Sequence, residues 1–386
     1  MGMNIDKIPG VTFYELDSDP TLNGEGAKIP IFIGKSASAT AEPKRILKFK
    51  NSMDANRTVA NGGIIPNNDT TTANPLLNFI KDFFTEAART ETDQIGVPYF
   101  YVIDLGKNPT AANWTQAMDT AKAKEDIQVE VYVGTYDINI MNDAAASIQE
   151  DIHTGNPRIA LFPAGPTGAT VSQMCALTDE TQKTEDNKDN FIQKSRIYLI
   201  EPDFYGVTVA RICVTPYYEE PGYNAYRSIE PGTFYEREPE EEIALQNAGI
   251  IFNHDETTLK NIYPKINLAV STAFAKGDLR PNDSLMHARV NTDHLIREIY
   301  EVCYAQIKRN ETISNLKFLK TGIDVAIHNE VNSGYMQSDT EANVEESDSN
   351  PYQIKVTGKA LPVNSTLFIG FGMYVGEPST KIVDSI

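Results

Sequence analysis

The chain has 386 residues, enough for two or three ordinary domains, and its 41% hydrophobic and 23% charged content is that of a folded, soluble protein. Its 53 acidic and 34 basic residues leave a formal charge of −19, which repels phosphate backbones and makes nucleic acid a poor partner. No window approaches the ~20 apolar residues of a membrane helix, and Met1–Lys7 lacks the basic and apolar regions of a secretory leader, so folding in a cytoplasm without membrane insertion is expected.

Residues 1–28 read as an extended arm. Pro9-Gly10 breaks any helix, Val11 to Leu16 is rich in strand formers, and turn-like breaks follow at Asp17–Pro20 and Asn23–Gly26. A lone strand cannot satisfy its own backbone donors and acceptors, so it must pair with a sheet in its own or another subunit.

Strands then alternate with helices. Ile29–Gly34, Val97–Ile103, Val129–Val133, Arg158–Phe162 and Ile197–Ile200 are short apolar runs. Between them, Pro75–Ala88, Ala111–Lys124 and Ala144–His153 carry helical patterns. This order predicts an α/β layer on a largely parallel sheet, an α/β domain over residues 29–215. Residues 216–240, rich in proline and tyrosine, read as an irregular excursion.

The spacing beyond it predicts a C-terminal core domain of α+β type over residues 216–365. Ile266–Val270 and Leu285–Val290 read as strands, with Asn291 or Thr292 as an N-cap. A helix with Leu295, Ile296, Ile299, Val302, Cys303 and Ile307 at core spacing follows. A second runs from Ile313, with Leu316, Leu319, Ile323, Ile327 and Val331 on one side and Gly334 to stop it. At the end, Leu367, Ile369, Phe371, Met373 and Val375 occupy every second position, while Gly370, Gly372 and Gly376 lie on the other face. That is a strand buried on one side and open to close backbone approach on the other, within a C-terminal β-arm over 366–386.

The search for chemistry yields no catalytic, cofactor or metal site. Gly165-Pro166-Thr167-Gly168 lacks the spacing and the Lys-Ser/Thr of a phosphate loop and reads as a turn. His153, His254, His287, His294 and His328 form no metal-binding pair. His254-Asp255-Glu256 reads as a turn, and His294 beside Asp293 as a first-turn charge preference. Cys175, Cys213 and Cys303 are too sparse for a disulfide framework and read as small buried apolar residues. The acidic stretches Glu236–Glu242 and Asp339–Asp348 read as solvated loops, or as a surface facing a basic partner. Tyr217, Tyr218, Tyr223 and Tyr226 read as a structural surface or subunit contact.

Both ends resemble the contractile tail sheath family of bacteriophages and related injection machines. Pro9-Gly10-Val11-Thr12-Phe13-Tyr14-Glu15 is similar to its opening strand, and Ile31-Phe32-Ile33-Gly34 to its next. Asn74-Pro75-Leu76-Leu77 with Phe83-Phe84, then Tyr99–Ile103, resembles its helix and Tyr-Val strand. Asn247-Ala248-Gly249-Ile250, His287-Ala288-Arg289-Val290 (read as the family's arginine-ending strand) and Gln353–Val375 are similar to its carboxy-terminal features. Residues 110–235 match by architecture alone; the tryptophan common before the arginine strand is absent, and one arginine stands where many relatives have two.

The resemblance implies a two-domain sheath subunit with extended terminal β-arms, a structural protein and no enzyme. Val11, Phe13, Leu16, Leu367, Ile369, Phe371, Met373 and Val375 would then make the inter-subunit arm contacts. Its implied partners are copies of itself in rings or a helical sheath, an inner tail tube protein, and baseplate and terminator proteins. The implied location is a virion tail or contractile particle assembled in the host cytoplasm.

Overall fold

The computed structural model describes residues 27–49, 74–87, 96–97, 99–153, 155–182, 196–234, 237–257, 261–272, 285–305, 313–346 and 354–363. Its centre is a seven-stranded sheet of β1 (Pro30–Gly34), β2 (Leu47–Phe49), β3 (Phe100–Asp104), β4 (Val129–Val133), β5 (Ile159–Pro163), β6 (Ile197–Ile200) and β7 (Ile250–Ile251), in the order β2-β3-β1-β4-β5-β6-β7. All pairings are parallel except the β2 edge, which is antiparallel to β3. The protein is thus α/β, and its sheet is the largely parallel one that the strand–helix alternation predicts.

The strands are apolar runs because both faces are covered. Every residue of β1, β3, β4, β5 and β6 is buried, as a parallel sheet between two helical layers requires. Alternation within β1 divides the core. Phe32 points to one face, where its ring lies 5.0 Å from Phe79, 4.9 Å from Phe83 and 5.1 Å from Phe100. Ile31 and Ile33 point to the other, among Trp114, Met118, Met141 and Ile148.

The first face is covered by α1 (Pro75–Ala87) and α5 (Tyr205–Val214), which pack on each other. The second is covered by α2 (Ala111–Lys122), α3 (Ile138–His153), α4 (Val171–Gln182) and α6 (Pro239–Asn247). Asn74 caps α1 through its side chain on the Leu77 amide (3.1 Å), with Pro75 at the first helical position. Thr110 and Asn113 form a capping box on α2.

After β7 the chain forms an antiparallel pair, β8 (Asn253–Thr257) with β9 (Ile262–Ile266), so His254-Asp255-Glu256 lies in a strand and not in a turn. Long helices α7 (Met286–Tyr304) and α8 (Ile313–Asn332) follow, and a second hairpin, β10 (Glu341–Glu346) with β11 (Ile354–Lys359), packs on them. Gly334, at φ +79°, marks the stop of α8 that the sequence predicts.

Four further readings change. Leu285–Val290 is not a strand: Leu285 makes one bridge to Val270 and serves as the N-cap of α7. Seven of the next ten residues, from Met286 to Leu295, are buried, which erases the 3.6-residue periodicity that would reveal a helix. Asn291 and Thr292 are therefore mid-helix; Asn291 reaches the Tyr335 carbonyl (2.7 Å) and Thr292 bonds back to Ala288 (2.9 Å). Ile266–Val270 holds only the last residue of β9, because the pairing with β8 draws the strand toward Ile262. Within the excursion after Pro216, the acidic run supplies the first turn of α6, where Glu240, Glu241 and Glu242 complement the positive helix end. The chain then re-enters the sheet at β7.

Candidate interaction surface

All eight arm residues named from the sequence, Val11, Phe13, Leu16, Leu367, Ile369, Phe371, Met373 and Val375, lie outside the described residues.

In an open α/β sheet, ligands bind outside the carboxyl ends of the strands where the connections reverse direction. Here that point lies between β1 and β4, and the amino end of α1 closes it. The Leu76 amide donates to the Lys35 carbonyl (2.9 Å), and Lys35 N donates to Val133 O (3.1 Å). A methyl group on Gly34 would come within 2.7 Å of the Val133 Cβ, so the backbones are in direct contact. The first amides of α1 are spent on Lys35 and Asn74 and offer no cradle for an anion. Gly165–Gly168 is a turn, with the Gly168 amide donating to Asp203 (2.7 Å).

Two histidines sit in packed polar contacts. His287 is fully buried with Nδ1 2.8 Å from Glu220, and His294 lies 3.4 Å from Glu330 and against the Tyr217 ring. Tyr217, Tyr218 and Tyr335 form one aromatic cluster beside them; Tyr226 is buried on Asn253, and Tyr223 is exposed. Cys213 is buried, its thiol pushed up to about 12 by burial, whereas Cys175 and Cys303 are only half-buried. Among the described residues no group of three or more His, Cys, Asp or Glu side chains could hold a metal ion. No described helix is long and apolar enough to cross a membrane.

A buried ionic chain and a half-buried arginine tie α7 to the rest of the body. Arg196, beside β6, forks onto Asp293 at 2.5 and 2.7 Å and donates to the Arg158 carbonyl (2.9 Å). Arg158 reaches Glu130 of β4 (3.1 Å), which also accepts from the Tyr132 hydroxyl (2.7 Å). Arg297, one helical turn beyond Asp293, donates to the carbonyls of Glu125, Ile127 and Pro157, and burial brings its guanidinium down to about 10. Asp293 is thus an anchor for α7 and not a first-turn charge. No local pattern signals it, since its partner lies 97 residues away.

Lys28, near the first of the described residues, is also held by buried contacts. Lys28 is fully buried at the carboxyl end of α5, its Nζ donating to the carbonyls of Ile212 (3.0 Å), Thr215 (2.6 Å) and Pro216 (3.5 Å). Its amide donates to Cys213 O (2.9 Å). Burial lowers its ammonium to about 8 despite the nearby Glu220 and Glu219 carboxylates.

The carboxy-terminal unit is thinly covered. Its core is Leu295, Leu319, Ile323, Ile327 and Met336, and the residues around it, among them Ile299, Val302, Cys303, Val344 and Val356, are only partly buried. The β10–β11 hairpin has two strands, so among the described residues each strand has one edge without a neighbour. Such an edge is a template for another strand. A groove of about 430 Å³ runs between α7 and this hairpin, lined mainly by apolar atoms of Leu295, Ile299, Cys303, Ile327 and Val356. Phe318 and Val325 on the outer side of α8, and Tyr304 of α7, are exposed by half or more.

No protein-family model matches the sequence, and no curated protein matches it at a significant level. Solved structures share its fold. The sheath of an extracellular contractile injection system, PVC, in its contracted state aligns with a TM-score of 0.65 at 12% identity over 96% of this chain and 98% of that one. The contracted helical sheath of the anti-feeding prophage aligns with a TM-score of 0.63 at 12% identity over 96% and 99%. The sheath tail protein of Listeria innocua aligns with a TM-score of 0.56 at 8% identity over 89% and 94%. The chain therefore has the fold of sheath subunits along nearly its whole length.

Proposed function

We propose that this chain is the structural subunit of a contractile sheath, which polymerises by exchanging β-strands between neighbours and acts without catalysing a reaction. The observation that carries the reading is the end-to-end correspondence of fold with two contracted sheaths. Three features of the chain support it. The amino end of α1 packs on the α/β switch point, where this fold class holds substrates, with the Leu76 amide on the Lys35 carbonyl. Among the described residues the β10–β11 hairpin presents two strand edges beside an apolar groove, the geometry of strand addition. Each terminal segment carries a strand-forming run, Val11–Leu16 and Leu367–Val375, that can supply the added strand.

In this mechanism, subunits stack around an inner tube between a baseplate and a terminator. A baseplate signal releases an extended, metastable array, and each body rotates outward into new lateral contacts. The arms keep neighbours tethered while those contacts change. The energy resides in assembly, so no nucleotide is needed. The buried pair Arg196–Asp293 and the half-buried Arg297 let α7 move with the sheet, and the net charge of −19 suits a basic partner surface.

Negative-stain microscopy of the purified protein tests the proposal: rings or helical polymers are expected. A variant lacking residues 366–386 should lose them. If that variant still builds and contracts sheaths of normal length, strand exchange is not the mechanism. A strictly monomeric full-length protein that binds a small ligand would favour an α/β enzyme instead.

A further inference from the structure

We propose that, before assembly, the groove between α7 and the β10–β11 hairpin is filled by the chain's own carboxy-terminal segment, Leu367–Val375, so that the unassembled subunit caps itself. The inference rests on reading that segment as a donated strand, and adds that its first acceptor is its own body.

Three observations point to this occupant. The groove is lined mainly by apolar atoms, with Leu295, Ile299 and Cys303 contributed by α7 and Val356 by β11. The segment offers five large apolar side chains at alternate positions with glycines behind them, the pattern that fills such a groove while its backbone lies along a strand edge. The third observation is the tether. Ala360 itself lines the groove, and the chain is pinned just after it by Gln337 N to Leu361 O (2.8 Å) and Val363 N to Tyr335 O (2.9 Å). Asn364-Ser365-Thr366, composed of turn formers, comes next. A reversal there sends Leu367 onward back along β11 as the third strand of a meander.

Effective concentration decides between self and neighbour. Phe371 lies eight positions beyond the pinned Val363, a leash reaching at most about 27 Å. A short leash of this kind holds its end at roughly millimolar concentration near the site. At micromolar protein, the segment's own groove then outcompetes an identical groove on another copy by about a thousandfold. Exchange becomes favourable only where subunits are held side by side, as on a growing end. Assembly would then be nucleated and not spontaneous, the usual logic of a swapped element.

Cys303, half-buried on the groove wall, makes the test direct. In a Cys175→Ser background, Phe371→Cys is introduced and the purified protein is oxidised with a mild disulfide-forming reagent, two thiols giving one disulfide as the reagent is reduced. The expected product is an intramolecular disulfide between Cys303 and the thiol introduced by Phe371→Cys, identified by peptide mass, whose yield is unchanged over a hundredfold dilution. Gly372→Cys, on the opposite face, should give at least fivefold less. Cross-linked dimers and ladders whose yield falls with dilution would overturn self-capping while leaving the polymer reading in place. No cross-link at either position, with Cys303 still reactive toward a thiol probe, would also overturn it. Failure to form any polymer would sink the sheath reading without affecting the intramolecular product.

Discussion

Arg196 and Asp293 meet through two hydrogen bonds, 2.5 and 2.7 Å long, with both side chains almost fully buried. The pair joins the strand layer to α7, and removing one partner strands the other's charge away from water. Asp293→Ala should therefore destabilise the protein by about 3–5 kcal/mol, whereas the double change Arg196→Met with Asp293→Leu should cost far less, because no charge remains buried. Urea unfolding of the two variants checks this. Equal losses in both would mean that packing, and not uncompensated charge, dominates there.

Lys28 makes stability depend on pH in a sense opposite to an ordinary ion pair. Burial holds its ammonium at about 8 in the folded protein against 10.5 for the free side chain. Below pH 8 it is charged in both states, and the folded state bears the full cost of the buried charge. From pH 8 toward 10.5 the folded form binds fewer protons than the unfolded form, so stability rises with pH. Cysteine ionisation in the unfolded chain opposes this, so the clean quantity is the difference between wild type and Lys28→Met. That difference should shift in favour of wild type by about 1 kcal/mol between about pH 8 and 9. A pH-independent difference would show that the ammonium is not depressed.

The carboxyl of Asp104, at the end of β3, behaves in the mirror sense. Desolvation raises it to about 6, outweighing hydrogen bonds from Ser36 and the Gly106 amide, and Glu42 adds repulsion. Its folded pKa exceeds the unfolded value of 3.8, so the stability it confers is present below about pH 4 and lost as pH rises through 6. Asp104→Asn keeps an acceptor for Gly106 and removes the charge. It should raise stability at about pH 7 by on the order of 1 kcal/mol and have little effect at about pH 4. Thermal melts at the two pH values decide the matter; a loss near neutrality would refute the assignment.

These side chains mark the boundary of what the sequence makes legible. Strands β1, β4 and β6 are plain because a parallel strand covered on both faces must be a short apolar run, and Val129–Val133 and Ile197–Ile200 have no other plausible use. Helix α5 is not visible by the same logic: all ten residues of Tyr205–Val214 are buried, and its valines, isoleucine and threonine favour a strand locally. Tertiary packing between α1 and the sheet overrides that preference. The amino half of α7 is hidden for the same reason. The ionic anchors are illegible because Arg196–Asp293 and the Lys28 contacts with Ile212, Thr215 and Pro216 join residues 97 or more positions apart. Val11–Leu16 and Leu367–Val375 are the reverse case: the first is read as a strand from its strand formers and the second from its period-two alternation, and both lie outside the described residues.

Gly155 and Tyr300 supply the last test, at the seam between α3 and α7. Gly155 has φ +78°, and a Cβ built on it would lie 2.0 Å from Cγ of Tyr300, far inside van der Waals contact with the ring. Gly155→Ala therefore carries two separable costs. The left-handed backbone costs about 1–2 kcal/mol for any side chain, and displacement of the ring from the seam adds about 1–3 kcal/mol of overpacking. Tyr300→Ala clears the space and leaves only the backbone cost. The double-mutant cycle should thus show a coupling of about 1–3 kcal/mol, with Gly155→Ala milder in the Tyr300→Ala background. Additive effects would mean that the ring leaves the seam freely and that its packing on Gly155 contributes nothing to holding α7 in place.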